Sequence, residues 1–148
     1  PSPFDHSHTI HSVEVSPDGA RLALIREVGT TRSVWVAPIV RDPQGVPTSV
    51  GTPIQVSATS ATVNDVSWAG TVTLVFDESA SDSSPQIRIE PLGGFDSTMP
   101  VPGEVEMISG GATPSNIYIR TREENLYSRS GSVWQAVGAP GREISYPG

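Results

Sequence analysis

The sequence predicts an all-β fold of the β-propeller type, with about three four-stranded antiparallel blades. A strand–turn–strand phrase, Val13-Glu14-Val15-Ser16-Pro17-Asp18-Gly19, runs on into the apolar segment 21–25. Weaker copies begin at Asn64 and Val105, and a unit that recurs about every 40 to 50 residues is the signature of a propeller blade. No long window has the 3.6-residue period of an amphipathic helix.

The predicted domain covers residues 1–148, with blades at about 9–57, 63–101 and 105–138 and a tail at 139–148. Strands of 5 to 8 residues separated by Gly, Pro and Ser turns are typical of such blades. The predicted strands are 9–15, 21–27, 33–40, 52–57, 63–68, 72–78, 86–92, 97–101, 105–109, 116–122, 125–129 and 133–137.

The first blade has the clearest pattern. Alternation at 9–15 predicts that Ile10, Val13 and Val15 point into the core. Pro17-Asp18-Gly19 is a turn in which the glycine can take a positive φ. The segment 41–51, with two prolines and two glycines, is predicted to be an exposed loop.

Charge and composition exclude several classes of function. The chain has 16 acidic and 9 basic residues and a net charge of −7, which argues against binding to a phosphate backbone. There is no cysteine, so no disulfide, thiol nucleophile or cysteine-bound metal is expected. No stretch approaches the ~20 apolar residues of a membrane span.

One histidine cluster is the candidate metal site. His6 and His8 would project from the same face of an extended strand, whereas His11 would fall on the opposite face. A zinc site needs three or four such ligands, so we favour a polar N-terminal arm and expect neither metal nor cofactor. Residues 1–8 or 143–146 either add a strand that clasps a blade or fray at the chain ends.

No residue pattern indicates catalysis, and we predict a non-enzymatic domain without catalytic residues. There is no Gly-x-Ser-x-Gly elbow, and Ser128–Ser132 is better interpreted as a hairpin turn. The adjacent acids Asp77-Glu78 and Glu123-Glu124 are predicted to be solvated loop charges. Asp18 and Asp82 lack the Asp-x-Asp-x-Asp pattern of a calcium loop.

The three tryptophans come from different blades. Trp35 and Trp68 are predicted to lie in the core, where each removes a large apolar area from water. Trp134, in an outer strand, is the residue we select as a candidate for an interface with a protein partner.

Longer phrases resemble one family. Together with residues 15–24, the segments 65–70, 126–138 and 146–148 resemble the C-terminal propeller region of the actinobacterial lipoprotein family LpqB. The resemblance runs from Thr9 to the end of the chain. A composition with arginine but no lysine is compatible with the GC-rich genome of such an organism.

The resemblance implies an envelope lipoprotein, anchored by lipid on the extracytoplasmic face of the cell membrane. It also implies an accessory role beside the extracellular domain of the sensor histidine kinase MtrB, in the MtrAB two-component system. The lipid-bearing cysteine would belong to a preceding region of the protein. Two alternatives stay open: a propeller accessory to a hydrolase or peptidase (TolB or prolyl-peptidase-like), and a propeller that binds cell-wall ligands.

Three blades are few for a closed ring. An open stack would expose an apolar face at each end. Two copies related by a two-fold axis could cover these faces and form a six-bladed ring, so a homodimer is one expectation. The other expectation is that these blades are a segment of the family's propeller, because three blades are too few for the ring that the resemblance implies.

Overall fold

The computed structural model describes residues 9–58, 61–80 and 85–137, which form three antiparallel sheets one after another along the chain. Sheet 1 contains β1 (Thr9–Val15), β2 (Arg21–Val28), β3 (Thr31–Arg41), β4 (Pro47–Val50) and β5 (Ile54–Gln55). Sheet 2 contains β6 (Ala61–Trp68), β7 (Thr73–Ala80), β8 (Gln86–Pro91) and β9 (Ser97–Pro100). Sheet 3 contains β10 (Val105–Gly110), β11 (Ile117–Thr121), β12 (Leu126–Ser130) and β13 (Val133–Ala136).

The predicted fold class is confirmed: the described chain is all-β, and its sheets are those of a partial β-propeller. Within each of sheets 2 and 3, four strands follow in sequence order as antiparallel neighbours. Short connections between neighbouring strands allow each sheet to form from local sequence alone.

Sheet 1 departs from the predicted four strands because two short strands share the edge of β3. β4 pairs with β3 at residues 39–41, and β5 pairs with it at Trp35 and Val36. The segment 41–51 was therefore wrongly predicted to be loop throughout. Its side chains are largely exposed, but Asp42 Oδ1 accepts hydrogen bonds from the amides of Gln44 and Val46, and this turn sends the chain back along β3.

The predicted turn at Pro17-Asp18-Gly19 is present. The Ser16 hydroxyl donates to Asp18 Oδ1 at 2.6 Å, the Ala20 amide donates to the same oxygen at 3.1 Å, and Gly19 has a φ of 70°. The hydrogen bond from Ser16 lowers the pKa of Asp18. This carboxylate therefore stabilises a turn.

Two apolar clusters hold the sheets together. The first lies between sheets 1 and 2 and includes Ile25, Val34, Trp68 and Phe76, while the second lies between sheets 2 and 3 and includes Ile87, Met99 and Ile119. Sheet 2 is thus covered on both faces. Burying each large side chain contributes roughly 1.5–3 kcal/mol before conformational entropy is counted.

The predicted core positions in β1 are wrong. Ile10, Val13 and Val15 are 43%, 56% and 55% exposed. They alternate as predicted, but they lie on the face of sheet 1 that points away from sheet 2. Alternation along a strand identifies an apolar face and carries no information on whether another element covers it.

The first strands of sheets 2 and 3 approach each other closely. Asp65 Oδ2 accepts a hydrogen bond from the Ile108 amide, and Ser67 Oγ accepts one from the Gly110 amide, both at 2.9 Å. A Cβ at Gly110 would lie within 3.0 Å of the Trp68 carbonyl oxygen and 2.8 Å from Ala69 Cα. Only glycine fits between these two strands.

We predict that Gly110→Ala lowers the free energy of unfolding by about 2–3 kcal/mol. The added methyl group must push β10 away from β6, which breaks the hydrogen bond between Ser67 and Gly110 and loosens the second apolar cluster. Urea unfolding measures the effect. Gly94→Ala is the matched control because Gly94 lies in a turn without a positive φ, and the nearest atom to its added Cβ is a side-chain carbon at 3.1 Å. Equal losses in the two variants would contradict the proposed close approach.

Candidate functional site

A cleft of about 480 Å³ opens where the three sheets meet at one rim, and it is the candidate functional site. The β2–β3 hairpin forms one wall, the beginnings of β10 and the end of β11 form the other, and sheet 2 forms the floor. The lining residues are Glu27, Thr30, Arg32, Thr62, Val63, Asn64, Asp77, Ser79, Pro85, Glu104, Val105 and Arg122.

Asp77 is the buried acid of this rim cleft, with only 7% of its surface exposed. Its Oδ1 accepts hydrogen bonds from the backbone amides of Asn64 at 3.0 Å and Asp65 at 2.8 Å. These amides belong to the irregularity of β6 between Val63 and Val66, which takes them out of the ladder with β7. The side chain of Asp77 therefore accepts the hydrogen bonds of the two amides that the bulge leaves without a partner in β7.

Burial raises the pKa of Asp77 to about 6 from its ordinary value of 3.8. Desolvation is the largest cause, and the nearby charge of Asp65 adds to it, whereas the two backbone hydrogen bonds act in the opposite direction. Desolvation also raises the pKa of Asp65 itself. The floor of the rim cleft therefore holds one carboxyl, that of Asp77, which is easier to protonate than free aspartate.

Each wall of the rim cleft carries its own acid–base pair. On sheet 1, Glu27 binds His11 and lies 3.8 Å from Arg32, and the hydrogen bond with His11 lowers the pKa of Glu27. On sheet 3, Arg122 Nε lies 3.2 Å from Glu104, with about three-fifths of both side chains exposed to solvent. The walls thus offer both signs of charge at the opening.

The candidate metal ligands His6 and His8 lie outside the described residues. Their neighbour His11 is described, and it pairs with Glu27. Within 9–58, 61–80 and 85–137, no three histidine or acidic side chains come together as a metal site would require. The weak metal prediction for His6 and His8 stays a prediction.

The tryptophans occupy three different environments. Trp68 is 4% exposed, and its indole N–H donates to the Glu14 carbonyl oxygen at 2.9 Å, across the junction of sheets 1 and 2. Trp35 is half-buried on the outer face of sheet 1, with Arg26 stacked 4.9 Å from its ring. Its predicted core position is wrong, since it points away from the first cluster.

Trp134, the candidate interface residue, is half-buried against the second apolar cluster. Its indole N–H is shielded from water and meets no acceptor within the described part of the chain. The interface role of Trp134 stays a prediction.

The acids Asp77 and Glu78 are not solvated loop charges, as the sequence suggested. They are neighbours on β7 and point to opposite faces, so each meets a different partner. Glu78 accepts a hydrogen bond from the Ala58 amide at 2.9 Å and pairs with Arg88 at 3.1 Å. Ser128–Ser132 does form the predicted hairpin turn, with Gly131 at a φ of 64°.

The sequence analysis did not identify the floor of the rim cleft, because the linear sequence gives little indication that these residues meet. Asn64 and Asp65 stand in the repeated phrase, but nothing in the sequence shows that their amides leave the ladder. Asn64 also donates from its side chain to the Val105 carbonyl at 3.1 Å, which ties sheet 2 to sheet 3. A break of alternation at Val63–Val66, where two apolar residues stand three apart, is the signal that indicates a bulge.

We predict that Asp77 makes the domain less stable as the pH rises. Since its native pKa of about 6 is above 3.8, folding binds the proton more tightly; this contribution is complete below about pH 4 and is lost as the pH passes 6. The loss for a shift of this size is about 3 kcal/mol. Asp77→Asn keeps an oxygen acceptor and cannot ionise, so it should remove this loss.

Urea unfolding of both proteins at pH 4.5 and pH 7.5 tests this prediction. The difference in unfolding free energy between the wild-type protein and Asp77→Asn should move in favour of the variant at the higher pH. Glu123→Gln, which changes an exposed carboxyl, is the control. A difference that is the same at both pH values would contradict the raised pKa of Asp77.

The described residues contain no helix of the length and hydropathy needed to cross a bilayer. The family model described as "Lipoprotein LpqB beta-propeller domain" matches residues 2–147, which is nearly the whole chain. No curated protein matches the chain significantly. The family match agrees with the three consecutive antiparallel sheets, and the chain belongs to the family of LpqB lipoprotein β-propeller domains.

Proposed function

We propose that this domain is a non-enzymatic protein-interaction propeller of an envelope lipoprotein, which modulates the extracellular domain of a sensor histidine kinase of the MtrAB type. In this proposal, lipid attached outside the present residues holds the protein on the extracytoplasmic face of the membrane. The rim cleft, formed by all three sheets in a domain of a lipoprotein family, is the observation that carries the proposal.

The walls of the rim cleft suit contact with a polar protein surface. Arg122 and Glu104 form an exposed pair, and exposed ion pairs contribute little to the stability of a fold. Either side chain can therefore exchange its partner for an opposite charge on another protein at small cost. Such exchange gives an interface its orientation and specificity more than its affinity.

The overall charge suggests which surface the partner presents. The chain carries a net charge of −7, so its field attracts a surface rich in Lys and Arg and accelerates the encounter. We expect the association rate with the kinase domain to fall as salt is added, with a smaller change in the dissociation rate.

We predict that the double variant Glu104→Ala/Arg122→Ala weakens binding to the kinase extracellular domain by about 10-fold or more. The variant removes one charge of each sign, so the net charge stays at −7 and a change in overall attraction cannot explain the effect. Biolayer interferometry with the immobilised kinase domain measures the affinity. The unfolding temperature should change little, because both side chains are largely exposed.

The matched control is Gln44→Ala/Val46→Ala, in the exposed turn between β3 and β4 at the opposite rim. It should bind like the wild-type protein. Wild-type binding by the cleft variant would show that the rim cleft is not the contact surface. If the wild-type domain itself fails to bind at micromolar concentration, the proposal of a kinase partner is wrong.

A further inference from the structure

Within residues 9–58, 61–80 and 85–137, no other strand packs on the outer face of sheet 1, here called end face 1. It carries Ile10, Val13, Val15 and Val28, which are 43–56% exposed, and the half-buried Trp35. The ladders β1–β2 and β2–β3 place Val13, Leu24 and Trp35 in one row across three strands. Leu24 is only 1% exposed, so the accessible apolar atoms of this row belong to Val13 and Trp35 on either side of it. Soluble monomers rarely expose large continuous apolar patches without a binding function.

The three first strands show what covers such a face. β1, β6 and β10 each contain a bulge directly after one apolar residue: Ile10, Val63 and Val105 respectively. Three residues later come Val13, Val66 and Ile108. In β6 and β10 these positions are at most 5% exposed, because the preceding sheet packs on them. End face 1 therefore repeats an interface that the molecule already makes twice.

The opposite end of the array offers the other half of this interface. The outer face of sheet 3, here called end face 3, exposes Met107, Tyr118 and Val133. Counted from the bulge, Met107 and Ser109 correspond to Asp65 and Ser67, the residues through which sheet 2 holds sheet 3. By position, end face 3 corresponds to the face with which a sheet covers the next one, and at the place of Asp65, whose carboxylate accepts a hydrogen bond, it carries the apolar side chain of Met107.

We propose that a second copy of this chain covers both faces, with end face 3 of each copy on end face 1 of the other, in a closed ring of six sheets. A two-fold axis forms both junctions at once. Six blades lie within the usual range of four to eight for closed propellers. By correspondence with the junction of sheets 1 and 2, where Glu14 meets Trp68, Ser109 of one copy lies beside Val15 of the other, and Met107 lies beside Val13. The junction of sheets 2 and 3 does not set the spacing here, because only glycine fits at its Gly110.

The buried area favours two junctions over one. A four-stranded face, with strands about 4.8 Å apart and about six residues long, covers roughly 400 Å². A single junction would bury roughly 800 Å² in total, which is the size of a crystal contact. Two junctions bury roughly 1,600 Å², which is the standard size of a specific interface.

Light scattering coupled to size exclusion tests the proposal directly. The expected mass is twice the 15.6 kDa of one chain. A monomer at micromolar concentration would overturn the proposal. A ladder of larger species would also overturn it, because head-to-tail contacts that do not close form open chains.

Variants on the two end faces test which surfaces are used. Val13→Glu and Met107→Glu should each give a monomer with an unchanged β-sheet circular dichroism spectrum, because both side chains are exposed in the single chain. Val46→Glu and Phe95→Glu are the controls, since they add the same charge at exposed apolar positions in turns. If only Val13→Glu dissociates the dimer, sheet 1 pairs with itself and the ring is wrong.

Cross-linking tests the arrangement without depending on loss of the dimer. The chain has no cysteine, so a single introduced thiol is unique. A mixture of Val15→Cys and Ser109→Cys chains, treated with a short bis-maleimide, should give a covalent dimer. Val46→Cys mixed with Ser109→Cys should give none. Equal cross-linking in both mixtures would overturn the assignment of the two faces. None of these readouts depends on the kinase.

Discussion

The junction of sheets 2 and 3 depends on hydrogen bonds between side chains of one first strand, β6, and backbone amides of the next, β10. Asp65 and Ser67 of β6 accept from the amides of Ile108 and Gly110 in β10. These amides point away from their own sheet, and an unpaired buried amide costs about 1–3 kcal/mol. The same contact draws two backbones so close together that the second must carry glycine. The hydrogen bonds between β6 and β10 and the packing of the second apolar cluster therefore depend on the same short distance between these two strands.

Local sequence patterns made the fold class predictable. They did not predict which sheet faces are packed against another sheet. The Pro17-Asp18-Gly19 turn, the alternation in β1 and β3 and the apolar run in β2 specify strands whatever lies beside them. The exposure of Val13 and Val15 depends on whether another element packs across their face of sheet 1. The alternation along the strand is the same for a covered face and for an uncovered one. β4 was missed because Pro47 and Gly51 indicate a loop, while Asp42 makes the turn that returns the chain to β3.

The candidate site was harder to predict than the fold. The sequence drew attention to His6, His8 and Trp134, while the rim cleft is assembled from residues that are ordinary singly and far apart in the chain. Asp77 appeared to be one of two adjacent loop acids, and its burial depends on the bulge of β6. Only the spatial meeting of three sheets gives Arg32, Asp77 and Arg122 a common surface. Membership of the LpqB propeller family then supplies the biological context for an interaction domain.

Val15, Trp68 and Gly110 occupy the same place in three successive sheets, and their sizes differ as much as those of any residues can. An indole fills the space at one junction, and no side-chain atom fits at the next. The junctions therefore differ in spacing although the strands repeat. The repeats are therefore not interchangeable modules, because the residue at this place in each sheet suits the spacing to one particular neighbouring sheet. Divergence at this position distinguishes the junction of sheets 1 and 2 from the junction of sheets 2 and 3 and fixes the order of these three sheets.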